Sequence, residues 1–138
     1  MASDNQPDQG SASRSSVFIL LVDDDPAQRE MYKIRLERKG YRVRMASSAD
    51  DAVHALRQER PDVVVLDIAM PERDGLSALQ EFLDMEPTLP VIIHTAYPAY
   101  ADNFLAWAAD AYVVKASDLT NLIAAIESAV NPTPGENS

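Results

Sequence analysis

The sequence contains no cysteine. That excludes a disulfide scaffold and a zinc–thiolate site, and it suits a reducing, cytoplasmic setting. No apolar run reaches the roughly 20 residues that a helix needs to cross a bilayer. The amino terminus, Met1-Ala2-Ser3-Asp4-Asn5-Gln6-Pro7, lacks the basic and apolar stretches of a secretory signal. Basic residues are also scarce: 12 Lys and Arg face 22 Asp and Glu, for a net charge of −10. They are scattered through the first half of the chain and nearly absent afterwards. A surface that displaces counterions from nucleic acid needs clustered cations, so no direct nucleic-acid partner is expected. The 138 residues leave room for one domain, with no internal repeat. A domain of that size buries roughly two-thirds of its unfolded surface and needs no staple.

What is present has a regular order. Residues 1–16 are polar, rich in Ser, Asp, Gln and Gly, and are expected to form a disordered tail; residues 131–138 read the same way. The folded domain is then 17–130. Within it, short apolar runs rich in β-branched residues alternate with helical stretches. Val17-Phe18-Ile19-Leu20-Leu21-Val22, Val63-Val64-Val65-Leu66, Val91-Ile92-Ile93 and Ala111-Tyr112-Val113-Val114 fit strands covered on both faces. Arg42-Val43-Arg44-Met45 alternates, as an edge strand with one wet side does. A first helix places Ala27, Met31 and Ile34 beside Tyr32 and Leu36 and ends at Gly40. A second carries Ala49, Ala52, Val53 and Leu56, with Ser48 and Asp51 as a capping box. A third has Leu76, Leu79 and Leu83 with Asp74 as cap. The last has Leu119, Leu122, Ile123, Ile126 and Val130 with Ser117 as cap. The weakest stretch runs from about Ala99 to Ala108. Five β-then-α units imply an α/β fold: a doubly wound, flavodoxin-like parallel sheet with helices on both faces. An edge strand second in sequence fits the order 2-1-3-4-5, and the active crevice of such a sheet lies at the carboxyl ends of its strands.

The polar residues wait at that rim. The first run ends in Asp23-Asp24-Asp25, the third strand in Asp67, the fourth in His94-Thr95 and the fifth in Lys115. Carboxylates so gathered repel one another unless a cation sits among them. Oxygen ligands without His or Cys select a hard ion, most naturally Mg²⁺. With Lys115 as a second positive charge and Thr95 as a hydroxyl donor, the set suits in-line transfer of a phosphoryl group to a carboxylate. The central strand end makes Asp67 the nucleophile. Plainer readings stand beside these. Asp25 is expected only to support the next helix's N-terminus. His94 should point away from the site by strand alternation. His54 belongs to a polar helix flank. Tyr100, Phe104 and Trp107 fall at helical spacing and read as core, in part as a partner surface.

Four blocks carry a resemblance: Val22-Asp23-Asp24-Asp25; Asp67-Ile68-Ala69-Met70-Pro71 with Asp74-Gly75; His94-Thr95-Ala96; and Tyr112-Val113-Val114-Lys115. In this order, each at a strand end, they resemble the signature blocks of response-regulator receiver domains over about residues 17–130. The resemblance implies that Asp23 and Asp24 hold Mg²⁺ together with Asp67 and the backbone carbonyl of Ala69. It implies that Asp67 accepts the phosphoryl group, that Lys115 pairs with it, and that Thr95 and Tyr112 are the switch hydroxyl and switch aromatic. Lys115 is followed by Ala116 where relatives carry proline. Ala69 and Tyr97 occupy the variable positions flanking the phosphoryl group.

The implied function is a signalling switch rather than an enzyme. It would be phosphorylated on Asp67 by a histidine kinase or phosphorelay protein. It would then control a protein partner, or a second copy of itself, through the face formed by the stretch from about Ala99 to Ala108 and the fifth strand. With nothing after residue 130 to form an output domain, the chain reads as a stand-alone receiver. The alternative is a pseudo-receiver, an interaction module that is never phosphorylated. A Mg²⁺-dependent phosphatase is disfavoured because Ala69 stands where its second Asp should be. A flavin site is disfavoured because Asp-Asp-Asp-Pro replaces a phosphate loop after the first strand.

Overall fold

The apolar runs become neighbouring strands of one parallel sheet in a computed structural model that describes residues 17–68, 75–96, 108–116 and 118–130. Chain order is β1 (Phe18–Val22), α1 (Pro26–Arg38), β2 (Arg42–Ala46), α2 (Ala49–Gln58), β3 (Val63–Leu66), α3 (Gly75–Met85), β4 (Val91–Thr95), β5 (Ala111–Val114) and α4 (Thr120–Val130). The sheet order is β2-β1-β3-β4-β5, all parallel, as the alternation of strands and helices predicts. The two tails, residues 99–107 of the expected helical stretch, and the caps Asp74 and Ser117 lie outside the described residues.

Every residue of β1, β3 and β4 is buried, which is why these strands read as unbroken apolar runs. β2 is half wet, as its alternation suggests. β5 departs from its expectation of cover on both faces. The strand order puts it at the other edge, and Val114 is exposed there.

Side-chain alternation divides the core in two. Leu20, Val22, Val64, Leu66, Val91 and Ile93 face α2 and α3. Ile19, Leu21, Val63, Val65, Ile92 and Val113 face α1 and α4. The helices use different starts and stops. Asp25 caps α1 by accepting from the N–H groups of Ala27 and Gln28, with Pro26 in the first turn, so its expected helix-supporting role is met. Gly40, at φ 98°, closes α1: its N–H donates to the Glu37 carbonyl and that of Tyr41 to the Leu36 carbonyl. Ser48 caps α2 through the Asp51 N–H, but the Asp51 carboxylate reaches back to Ser47 rather than closing a box on Ser48.

The inner face of α1 differs from the sequence expectation. Tyr32 and Leu36 are buried, whereas Met31 and Ile34 keep 39% and 40% of their surface exposed. The face turned to the sheet is therefore Gln28, Tyr32, Leu36, and its first member is polar because there the helix overhangs the rim of the sheet rather than its core.

Candidate acidic site at the strand ends

The sheet's hydrogen-bond ladder continues one residue past three strand ends, and those three residues carry the site. Asp23 N–H donates to the Ala46 carbonyl (3.1 Å), Asp67 N–H to the Val22 carbonyl (2.9 Å) and Lys115 N–H to the Thr95 carbonyl (2.8 Å). Their backbones are thus fixed by the sheet while their side chains leave the apolar layer. Asp23 and Asp67 remain buried, and Thr95 is fully so at the end of β4.

The Lys115 ammonium joins the set. Its Nζ donates to Asp23 Oδ2 and to Asp67 Oδ2, each at 3.0 Å, and to Gln28 Oε1 at 2.6 Å. Asp24, half-buried, completes a group in which Asp23, Asp24 and Asp67 each offer a carboxylate oxygen within 4.8 Å of the others. The other Asp23 oxygen accepts from the N–H of Asp25 at 2.9 Å. Arg29 Nη1 donates to the Asp23 carbonyl at 2.8 Å, tying the loop after β1 to the first turns of α1.

Burial pushes the Asp23 carboxyl above its ordinary range, against the Asp25 N–H and the Lys115 ammonium, which favour the charged form; Asp67 adds a smaller upward push. Burial acts to lower Lys115 as well, but the Asp67 and Asp23 carboxylates together outweigh it and hold the ammonium above its ordinary value. The two directions are compatible: one ammonium shared between two carboxylates cannot neutralise both. Desolvation is therefore the larger cause of strain at Asp23, and repulsion between aspartates the lesser.

His94 lies on the opposite face from Thr95. It is buried and its ring meets that of Tyr32 edge-on at 4.9 Å between centroids, as alternation along β4 implies. Tyr112 is paired in register with Ile93 and packs on the same layer, so it shares a face with Thr95. His54 is exposed and bonds Gln58. Ala69, Tyr97, Tyr100, Phe104 and Trp107 lie outside the described residues. Sequence reasoning missed Gln28 and Arg29. Gln28 carried a signal: it stands four residues before Tyr32 and eight before Leu36, a polar residue in phase with the buried face.

The donor set of the three aspartates is wholly oxygen, and one ammonium against three carboxylates leaves it acidic. It fits a hard divalent cation.

Comparison with known proteins places the chain in a family. Residues 19–127 match the family model of the response regulator receiver domain. The chain is 35% identical over 114 residues to the probable transcriptional regulatory protein TcrX of Mycobacterium tuberculosis, covering 81% of this chain and 49% of that protein. It is 39% identical over 114 residues to the DNA-binding transcriptional regulator NtrC of Proteus hauseri, covering 81% of this chain and 24% of that one. The chain thus spans about half or less of the curated relatives it matches. Among solved structures, response regulator TrrA of Thermotoga maritima in complex with Mg²⁺–BeF superposes with TM-score 0.80 at 33% identity, covering 83% of this chain and 99% of that one. TrrA in complex with the histidine kinase ThkA superposes with TM-score 0.79 at 33% identity, covering 84% of this chain and all of that one. Fold and site define a two-component signalling domain. The chain belongs to the response-regulator receiver family.

Proposed function

We propose that Asp67 accepts a phosphoryl group and that the resulting charge is read by Thr95 and Tyr112. The observation that carries this is Lys115 Nζ bridging Asp23 and Asp67 at 3.0 Å each, beside Asp24, at the rim of the sheet. A carboxylate oxygen of Asp67 attacks phosphorus. The new bond is O–P, and the donor's P–N or P–O bond breaks with its electron pair leaving on the donor. Lys115 exchanges its contact with Asp67 for one with a phosphoryl oxygen. Asp23, Asp24 and Asp67 would hold Mg²⁺, whose charge would neutralise the phosphoryl group. Thr95, on the face shared with Tyr112, donates its hydroxyl to the new phosphoryl oxygen. Tyr112 then repacks at the β5 edge.

TrrA is similar over the whole domain, and its complexes with Mg²⁺–BeF and with a histidine kinase support the same donor class here. A histidine kinase or phosphotransfer protein would supply the phosphoryl group, and a protein partner would read the switch. The pseudo-receiver alternative has no support in the geometry, because acceptor, acidic pair and lysine are assembled together.

The test is labelling by a small acyl phosphate with Mg²⁺, followed by intact mass. Wild type should gain one phosphoryl group and Asp67→Asn none; equal labelling would sink the assignment. On the labelled wild type, amide resonances of Thr95 and Tyr112 should move. If only the surroundings of Asp67 shift, the switch half of the proposal fails.

A further inference from the structure

Gln28 has no part in the chemistry described so far, yet its side-chain oxygen makes the shortest contact of the Lys115 ammonium, 2.6 Å against 3.0 Å to each aspartate. An ammonium has three N–H donors and no acceptor. Asp23, Asp67 and Gln28 therefore take all three. The same ammonium lies 5.8 Å from the centre of the Tyr32 ring, within the range where a ring face attracts a cation. Gln28 and Tyr32 are one turn apart on the inner face of α1, so one helix contributes both the amide acceptor and the aromatic wall. The lysine side chain is only 10% exposed in this cradle.

The three contacts differ in what phosphorylation does to them. The contact with Asp67 must be exchanged, because the phosphoryl group arrives on that carboxylate. Asp23 remains, and Gln28 lies outside the acidic group. Two fixed arms and one that swings would keep Nζ aimed at the phosphoryl oxygen without a search through the rotamers of a flexible four-carbon stem.

We propose that Gln28 is a positioning residue for Lys115: its amide oxygen holds the ammonium in place during transfer to Asp67 and in the phosphorylated state. This rests on the reading of Asp67 as acceptor. Gln28 acts only through Lys115, and that makes the idea separable from a role in α1 or its loop.

The experiment is a double-mutant cycle on the full chain, using an acyl phosphate and Mg²⁺ and reading the labelling rate by intact mass. Gln28→Met keeps the side chain's length and removes the acceptor. It should slow labelling about tenfold, the order expected for one hydrogen bond to a charged group. In a Lys115→Met background the same change should alter the rate less than twofold. Independently of labelling, proton exchange at the Lys115 ammonium, followed by ¹⁵N NMR on the apo protein, should quicken in Gln28→Met while the melting temperature stays put. A Gln28→Met protein that labels at the wild-type rate, or that slows equally in both backgrounds, or that leaves ammonium exchange unchanged, overturns the proposal. Asp67→Asn run alongside keeps the two claims apart: if it labels like wild type, the acceptor reading fails, and the exchange measurement still decides the role of Gln28.

Discussion

His94 and Thr95 are neighbours in the chain and belong to opposite faces of the sheet. Thr95 faces the layer that holds Tyr112, and His94 faces α1, where it is buried against Tyr32. Burial holds the imidazole down at about pKa 4, with the Lys115 ammonium pushing in the same direction and Asp67 against it. The folded protein thus keeps a neutral His94 where the unfolded chain, with its ordinary value of 6.5, is already binding a proton. The unfolded state holds more protons across that window, so stability rises with pH and is lost on acidification from 6.5 toward 4. The full shift corresponds to about 3 kcal/mol. The raised Asp23 carboxyl contributes with the opposite sign, so the informative quantity is a difference between proteins. His94→Phe, which retains a ring against Tyr32, should resist denaturant between pH 6.5 and 4.5 better, relative to wild type, than it does at pH 8. Parallel stability–pH curves for the two proteins would show that His94 is not held neutral.

α1 illustrates where residue pattern and element geometry part company. Ala27, Met31 and Ile34 are spaced as an apolar stripe, but so are Tyr32 and Leu36, and the two stripes lie on different sides of the helix. Spacing alone cannot choose between them. The sheet chooses, because Tyr32 is buried in the layer of Ile19 and Leu21 with its ring against His94, while Gln28, in the same phase, reaches the rim. The other elements were legible for the opposite reason. In β1, β3 and β4 both faces are buried, so no phase is needed. In α2 four of the five buried residues, Ala49, Ala52, Val53 and Leu56, form one stripe, and the fifth, Ala55, flanks it. The consequence for α1 is measurable by denaturant unfolding. Leu36→Ala deletes a fully buried side chain and should cost about 2–5 kcal/mol. Ile34→Ala, at a residue 40% exposed, should cost less than about 1 kcal/mol. Equal losses at the two sites would mean that the helix is rotated from the orientation described.

At the scale of the whole molecule, the meeting of Asp23, Asp24, Asp67 and Lys115 could be read from the sequence because a parallel sheet delivers the residues at its strand ends to one rim. Gln28, though in phase with Tyr32 and Leu36, could not be placed there by spacing alone, because its position depends on how a helix is turned about its own axis. That rim concentrates like charge in a chain already at −10. Three carboxylates face one ammonium, and burial holds Asp23 above its ordinary value of 3.8. A raised folded-state pKa means that the folded protein binds more protons than the unfolded chain, so the contribution of Asp23 worsens as pH rises from about 3.8 through the folded value and then stays unfavourable. A divalent cation that binds the folded cluster and not the unfolded chain offsets this. At ten times its dissociation constant, Mg²⁺ should add about 1.4 kcal/mol, read as a higher melting temperature at pH 7. Protons and Mg²⁺ compete for Asp23, so the gain should shrink at pH 5; His94 cancels because each gain is taken at one pH. The measurement is melting with and without Mg²⁺ at fixed ionic strength, at both pH values. A wild-type melting temperature unmoved by Mg²⁺ at pH 7, or a gain that grows on acidification, would mean that Asp23, Asp24 and Asp67 do not act as one cation site.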